Sequence, residues 1–158
     1  MSKHILPCLT LYQPWATWIM RGWKTIETRT HNRFECLKGR TILIHAGMTT
    51  DDSSFAVRNP YLTKNQILQN PDEVVNGFIL GSVYVYDTGA LNDGDSKAAL
   101  IDCESIQRYG LFLRDKQQLL DPIPCKGGMG IWYFDMDKKE KVKKLPIETP
   151  KIETLKLF

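Results

Sequence analysis

Short runs of apolar and β-branched residues, separated by polar turn-forming stretches, dominate the hydrophobic pattern of this chain. Runs of this kind are typical of β-strands. Both faces of the run at 77–87 are largely apolar, which predicts a strand in the interior of a sheet. The predicted strands lie at residues 5–12, 24–30, 40–46, 77–87, 110–114 and 130–136. The pattern therefore predicts a core built mainly of β-structure.

Helices are predicted at only two or three places along the chain. Pro14 suits the first turn of a helix and Gly22 suits its end. Short helices are also indicated near 63–69 and at 97–108, where Ser96 can cap the first turn. Since strands and helices do not alternate strictly, a doubly wound parallel sheet is disfavoured. We therefore expect an α+β fold, a small and partly closed β-barrel of about six strands with two or three short helices packed on it.

The length of 158 residues corresponds to one domain with a trailing segment. We assign residues 1–137 to the domain, because the composition then changes to a tail, residues 138–158, with seven lysines and three glutamates. This tail is interpreted either as a solvated linker or as a segment whose apolar last residues dock on the body or on a partner. No apolar run is long enough to span a membrane, and the first residues lack the pattern of a signal peptide. We therefore expect no membrane partner and a cytoplasmic location.

The cysteines and histidines give no sign of a metal site. The four cysteines contain no C-x-x-C pair, so we expect free thiols in a reducing compartment. The three histidines form no close pair with each other or with a cysteine, and zinc is therefore not expected. His45 lies inside an apolar strand, where a hydrogen-bonded structural histidine is expected rather than a ligand. We expect no metal and no cofactor.

Charge is distributed unevenly along the chain, although its net value is only +3. Residues 21–40 contain six basic and two acidic residues, whereas residues 41–137 contain seven basic and thirteen acidic residues. A basic segment next to tryptophans favours a partner that carries phosphate. The alternative is a basic face that is merely solvated.

The residues with the most suggestive chemistry are clustered around the first predicted helix. Trp15 can stack on a base, Glu27 can accept hydrogen bonds from a base edge, and lysine or arginine can bind carbonyl or phosphate oxygens. In a regular strand Thr25, Glu27 and Arg29 share a face, whereas the direction of Lys24 at the helix–strand junction is not fixed. Alternatively, the tryptophans pack in the core, and Glu27 forms a salt bridge with Lys24 or Arg29. The candidate binding residues are Gln13, Trp15, Lys24, Thr25, Glu27, Arg29 and Lys126.

Five ordered motifs resemble the ASCH domain, a member of the PUA-like superfamily. The first three are residues 11–16 (LYQPWA), 22–29 (GWKTIETR) and 40–46 (RTILIHA), and the later two are 77–87 (GFILGSVYVYD) and the segment from Pro122 to Trp132. The resemblance spans roughly residues 5–136 and leaves the tail outside. It implies a barrel-like fold with a cleft beside the first helix, lined by the K-T-x-E segment. Similar domains are associated with RNA or DNA binding, with transcription coactivation and, in small bacterial members, with hydrolysis.

The resemblance also implies which residues a hydrolase of this family would need. Bacterial amidohydrolases of this group deacylate N-acylated cytidines with a lysine, a threonine and a glutamate. Their lysine corresponds to Lys24, but their threonine corresponds to Glu27, and only Asp87 lies near the place of their glutamate. Thr25, on the predicted face of Glu27, is the only substitute hydroxyl. The match is therefore closer to the members that contain the Q-P-W motif.

The leading hypothesis is a binding module for RNA or for a modified nucleoside or nucleotide. The alternative is a hydrolase, either an amidohydrolase on N-acylated cytidine or a ribonuclease, with Lys24 as base and Glu27 as its acid–base partner. An interaction domain that uses the tail is a third interpretation. Under the first two hypotheses we expect Lys24 and Glu27 to line one pocket, with Trp15 near its rim. The oligomeric state is left open.

Overall fold

Seven strands form one sheet in the computed structural model, which describes residues 4–67 and 74–143. Along the sheet the strand order is β2-β5-β4-β3-β1-β6-β7. Strands β1 and β3 are parallel, and the other neighbouring pairs are antiparallel. The strands are β1 (Ile5–Gln13), β2 (Ile26–Arg29), β3 (Arg40–Thr50), β4 (Phe78–Ala90), β5 (Tyr109–Pro124), β6 (Trp132–Asp135) and β7 (Glu140–Lys141).

The helices in the described part of the chain are short. They are α1 (Trp15–Met20), α2 (Ser54–Val57), α3 (Lys64–Ile67) and α4 (Ser96–Ala99). Single 3₁₀ turns occur at Glu35–Leu37 and Asp93–Asp95. Among the described residues, none of these helices has the length and apolar character that crossing a bilayer requires.

The core lies on both faces of the sheet. Successive side chains of a strand point to opposite faces, so Leu9 packs with α1 on one face, whereas Cys8 packs on the other. On the same principle Ile42 and Ile44 join the α1 cluster, and Leu43 joins the cluster of Cys8. Strand β3 is therefore buried on both faces, which explains its continuous apolar sequence.

The α+β fold predicted from the sequence is confirmed, and the sheet is open at β2 and β7. It has seven strands instead of about six, because the short β7 pairs with β6 beyond the predicted domain end. The division of the chain at residue 137 stays a prediction. From residue 144 onward the predicted tail lies outside the described residues.

The largest error in the strand prediction concerns β5, which continues from its predicted end at residue 114 to Pro124. Residues 114–118 are exposed, so they lack the alternation of apolar and polar positions that identifies a half-buried strand. Their pairing comes instead from β4, for example Gly81 with Gln118. An added Cβ at Gly81 would collide with the backbone of Gln117, so glycine permits this close approach. Strands β3 and β4 also extend beyond their predicted ends, to Thr50 and Ala90.

The helix predicted at 97–108 is wrong beyond its first turn, because α4 ends at Ala99. Leu100 then adopts a left-handed conformation with φ of 56°, which a helix cannot continue through. The helix predicted near 63–69 is present as α3 up to Ile67, and its last two residues lie outside the described part. The end of α4 follows from the backbone conformation of Leu100, which the hydrophobic pattern does not encode.

Candidate functional site

A cavity of about 500 Å³ opens beside α1, and it contains most of the predicted site residues. Its walls come from the end of β1, the start of α1, the strand β2 and the segments that follow β3 and α4. Its lining residues are Thr10, Leu11, Tyr12, Trp15, Lys24, Glu27, Thr28, Arg29, Asp51, Ser53, Phe55 and Ile101. The expectation that Lys24, Glu27 and Trp15 line one pocket agrees with this geometry.

The early end of α4 places Lys24 in the cavity wall. If α4 continued, the carbonyl of Ala99 would accept the backbone N–H of Cys103. Instead the Ser96 hydroxyl accepts that N–H at 3.0 Å, and the Ala99 carbonyl accepts a hydrogen bond from Lys24 Nζ at 2.6 Å. The ammonium group, in a residue only 2% exposed, is therefore held at a fixed position.

Glu27 lies between the two cations of the cavity. Its carboxylate oxygens are 3.9 Å from Lys24 Nζ and 3.9 Å from the Arg29 guanidinium, and one of them accepts the backbone N–H of Thr28 at 2.9 Å. Burial lowers the pKa of Lys24 to about 8, although the Glu27 charge acts in the opposite direction. A lysine with this pKa is partly neutral near physiological pH, so it can accept a proton as well as donate hydrogen bonds.

The indole of Trp15 forms an aromatic wall of the cavity. Its ring centroid is 5.2 Å from Lys24 Nζ and 5.1 Å from the ring centroid of Trp18, which meets it edge to face. The indole N–H donates a 2.7 Å hydrogen bond to the carboxylate of Asp51. Trp15 is half-buried, so part of its surface is available to a ligand.

Asp51 is the main cavity residue that the sequence analysis missed. It follows the unpredicted extension of β3, and 36 positions separate it from Trp15. No local spacing could have connected the two residues. Burial alone would raise the pKa of Asp51, but hydrogen bonds from Trp15 and Ser53 outweigh it and hold that pKa below its ordinary value. Asp51 is therefore a carboxylate at neutral pH.

Three of the predicted site residues do not line this cavity. Gln13 is fully buried, and its side chain accepts the Thr17 N–H at 3.0 Å and donates to the Thr17 hydroxyl and the Val75 carbonyl, so it anchors α1. Thr25 is exposed and lines a separate cavity of about 280 Å³, because it precedes β2 and its backbone is bound to Ala98 and Leu113.

Lys126 lies in the exposed segment between β5 and β6 and is not among the residues of the cavity wall. The adjoining Cys125 carbonyl is hydrogen-bonded to His45 Nε2 at 2.7 Å, which ties this segment to β3. The threonine that lines the cavity is Thr28 instead of Thr25.

Arg29 adds a cation whose hydrogen bonding is incomplete. Its guanidinium lies 4.9 Å from the ring centroid of Phe34, and its Nε is buried without a hydrogen-bond partner among the described residues. Such a donor is costly to leave unpaired. Within the same described part, no three His, Cys, Asp or Glu side chains are grouped as a metal ion would require. The described residues of the cavity wall offer an aromatic ring, hydrogen-bonding groups and charged side chains.

Comparison with known proteins finds a family model that matches most of this chain. The ASCH domain model matches residues 9–151, which extends past the predicted end of the domain. Activating signal cointegrator 1 of Mus musculus is 24% identical over 139 residues, and that of Homo sapiens is 25% identical over 139 residues. Each alignment covers 87% of this chain and 24% of the relative, so the chain spans about a quarter of the length of these curated relatives.

Solved structures show the same fold. The crystal structure of ASCH from Zymomonas mobilis has a TM-score of 0.55 and 14% identity, and the match covers 84% of this chain and 91% of that one. A mutant of the same protein has a TM-score of 0.52 and 14% identity, with coverage of 98% and 99%. At this identity the likeness concerns the fold alone.

Proposed function

This chain belongs to the ASCH domain family, which is associated with RNA binding, and on this premise we propose that it binds RNA or a modified nucleoside or nucleotide in the cavity beside α1. The observation that carries the proposal is the combination of Trp15 with the Lys24–Glu27–Arg29 network in one cavity of about 500 Å³. A volume of this size is typical of small-molecule sites, and a single nucleoside fits it.

Each part of the cavity has a matching part in a nucleoside. The Trp15 ring supplies a face on which a base can stack. Glu27 can accept hydrogen bonds from an exocyclic amine or a ring N–H, and Lys24 can donate to a carbonyl oxygen of the base. Arg29 Nε is a donor with no acceptor among the described residues, so a polar atom of a ligand can accept its hydrogen bond. These complementary contacts support a base-binding role for the cavity.

The proposal is tested by isothermal titration of the protein with the four ribonucleosides, N-acetylcytidine and a mixed-sequence single-stranded RNA. Trp15→Ala should weaken binding about fivefold or more, since stacking on an aromatic ring contributes about 1–3 kcal/mol. Lys24→Met, which keeps the length of the side chain, should also weaken it. Lys126→Met is the matched control, because this lysine is outside the cavity wall.

For the RNA, raising the salt concentration should weaken binding with a slope of about −0.7 for each phosphate neutralised. A flat salt response would remove phosphate contacts from the proposal. If none of these probes binds, or if Lys126→Met has the same effect as Lys24→Met, the proposed cavity function is wrong.

A hydrolase is the second candidate, and the buried Lys24–Glu27 pair is the observation that favours it. A lysine with a pKa of about 8 can act as a general base toward water or a hydroxyl. Hydrolysis also needs a positioned nucleophile and donors aimed at the developing oxyanion. Within residues 4–67 and 74–143, however, neither Lys24 nor Glu27 is hydrogen-bonded to a side-chain hydroxyl. Binding is therefore the leading proposal.

Chromatography of N-acetylcytidine and of single-stranded RNA, after incubation with wild type and Lys24→Ala at equal concentration, separates the two candidates. We expect product formation by the two proteins to be indistinguishable. Turnover by the wild type that is lost in Lys24→Ala would make the protein a hydrolase. An intact circular dichroism spectrum of the variant would show that the loss is not due to unfolding.

A further inference from the structure

Two cations and two carboxylates form the charged part of the cavity wall. The cations are Lys24 and Arg29, and the carboxylates are Glu27 and Asp51. Glu27 already lies 3.9 Å from both cations, so neither cation is free of a carboxylate. Asp51 then brings the formal charge of the wall to zero. A cavity built to take a phosphate would instead carry an excess of cations.

We propose that Asp51 is a positioning and specificity-determining residue, which fixes the indole of Trp15 and excludes phosphate, so that the cavity accepts the uncharged base of its ligand and leaves phosphate groups outside. The part of this proposal that concerns the base of a ligand rests on the proposed function of the cavity. The contact between Asp51 and Trp15 does not depend on any ligand.

Asp51 is held on three sides, which makes it a rigid support for the indole. Its backbone N–H donates to the Gln13 carbonyl at 2.7 Å, and one carboxylate oxygen accepts the Ser53 N–H at 2.8 Å. The other carboxylate oxygen accepts the Trp15 N–H at 2.7 Å. Gln13 ends β1 two residues before Trp15 begins α1, so the Asp51 backbone is tied to the junction that carries the indole. Hydrogen bonds to a carboxylate are stronger than those between neutral groups.

This anchoring determines what Trp15 can offer. Its N–H is already used by Asp51, and Lys24 lies 5.2 Å from the ring centroid. The N–H is therefore not available to a ligand, which can contact Trp15 only through the part of the ring that this half-buried residue leaves exposed, and a base supplies a flat surface for such a contact. Without Asp51 the indole of this half-buried residue would be free to choose other rotamers.

The charge of Asp51 determines what else can enter. Its pKa lies below the ordinary value, chiefly because hydrogen bonds from Trp15 and Ser53 outweigh the opposing effect of burial. It is thus ionised at neutral pH. A nucleotide phosphate in this cavity would be repelled by Asp51, while Lys24 and Arg29 are partly compensated by Glu27. A neutral base does not experience this repulsion.

The test compares three acidic-site variants with the wild type. Asp51→Asn removes the charge but keeps an oxygen that can accept the indole N–H, and Asp51→Ala removes both. Asp52→Asn is the matched control, because Asp52 is an exposed neighbour that does not line the cavity. The probes are the four ribonucleosides and their 5′-monophosphates, measured by titration calorimetry.

We expect the wild type to bind the nucleoside more tightly than its monophosphate. Asp51→Asn should reduce this preference about three- to fivefold, which is the effect of one partly exposed charge, and Asp52→Asn should leave it unchanged. If the monophosphate binds more tightly to the wild type, or if Asp51→Asn leaves the ratio unchanged, the exclusion of phosphate is wrong while the cavity function stands.

Acrylamide quenching of tryptophan fluorescence tests the positioning role without a ligand. Asp51→Ala should increase quenching, and the increase should vanish when Trp15 is also replaced by Phe. An unchanged quenching constant would contradict the positioning of Trp15. If no probe binds at all, the proposed function and the exclusion of phosphate fail together, and the quenching result alone decides the role of Asp51 on Trp15.

Discussion

Lys24 and His45 are two buried bases in different surroundings. They are 2% and 1% exposed, and burial lowers the pKa of each. Lys24 adjoins a cavity of about 500 Å³ and lies 3.9 Å from a carboxylate. His45 is enclosed by the segment after β5, where its Nε2 meets the Cys125 carbonyl at 2.7 Å and its ring meets Trp132 edge to face at 5.5 Å.

The two side chains are similarly buried but differ in what surrounds them. The imidazole of His45 is packed against the space that a Cβ on Gly127 would occupy, so it contributes to packing. Its predicted role as a hydrogen-bonded structural histidine is consistent with these contacts. Lys24, in contrast, has a charged neighbour and open volume beside it, which are the features that reaction or recognition requires.

The largest expected effect that separates the two bases is a rise in the folding stability of the wild type at alkaline pH, which Lys24→Met should lack. Because burial lowers the pKa of Lys24 to about 8, the unfolded chain, with a pKa of 10.5, binds more protons between these values. Folding stability of the wild type should therefore rise with pH in this window relative to Lys24→Met, by about 3 kcal/mol in total. Urea unfolding at pH 7.5, 9 and 10.5 measures it, with Lys126→Met as control. If the free energies of unfolding of the wild type and Lys24→Met changed in parallel with pH, the lowered pKa of Lys24 would be contradicted.

A smaller effect is expected on the His45 side, from Gly127→Ala. The new Cβ would lie 2.6 Å from Thr10 Oγ1 and 2.8 Å from the His45 ring, so neighbours must move. Overpacking of this kind costs about 1–3 kcal/mol. Gly89→Ala is the matched control, since a Cβ there meets nothing within 4 Å, and glycine in a strand is slightly unfavourable. Thermal unfolding should show a lower midpoint for Gly127→Ala alone, and equal midpoints would mean that this region is loosely packed.

The smallest expected effect is the acid response of His45. Burial lowers its pKa below 6.5, so the unfolded chain binds a proton more readily, and stability should fall as the pH drops below about 6.5. The hydrogen bond to the Cys125 carbonyl favours the protonated ring and keeps the effect small. His45→Gln should remove this part of the pH dependence in urea unfolding between pH 7 and 5. A steeper acid loss in the variant would contradict the direction of the shift.

The sequence was most informative where chemistry and local spacing coincide. The segment from Trp15 to Arg29 contains a helix, a turn and a strand within fifteen residues, so Trp15, Lys24 and Glu27 could be expected near one another. It was least informative for Thr25 and Lys126. The alternation rule placed Thr25 with Glu27, but Thr25 precedes β2, and its backbone bonds to Ala98 and Leu113 turn it toward another cavity.

The sequence by itself determined the β-rich α+β fold and the family. Apolar alternation and ordered motifs are local patterns, so they can be identified in the sequence directly. Tertiary structure alone decided how the side chains of the cavity are held and that Asp51 joins them. The end of α4 freed the Ala99 carbonyl for Lys24, and the extension of β3 brought Asp51 to Trp15, across 75 and 36 positions of sequence. Contacts over such distances depend on where strands pair and helices stop, and no periodicity in the chain records them.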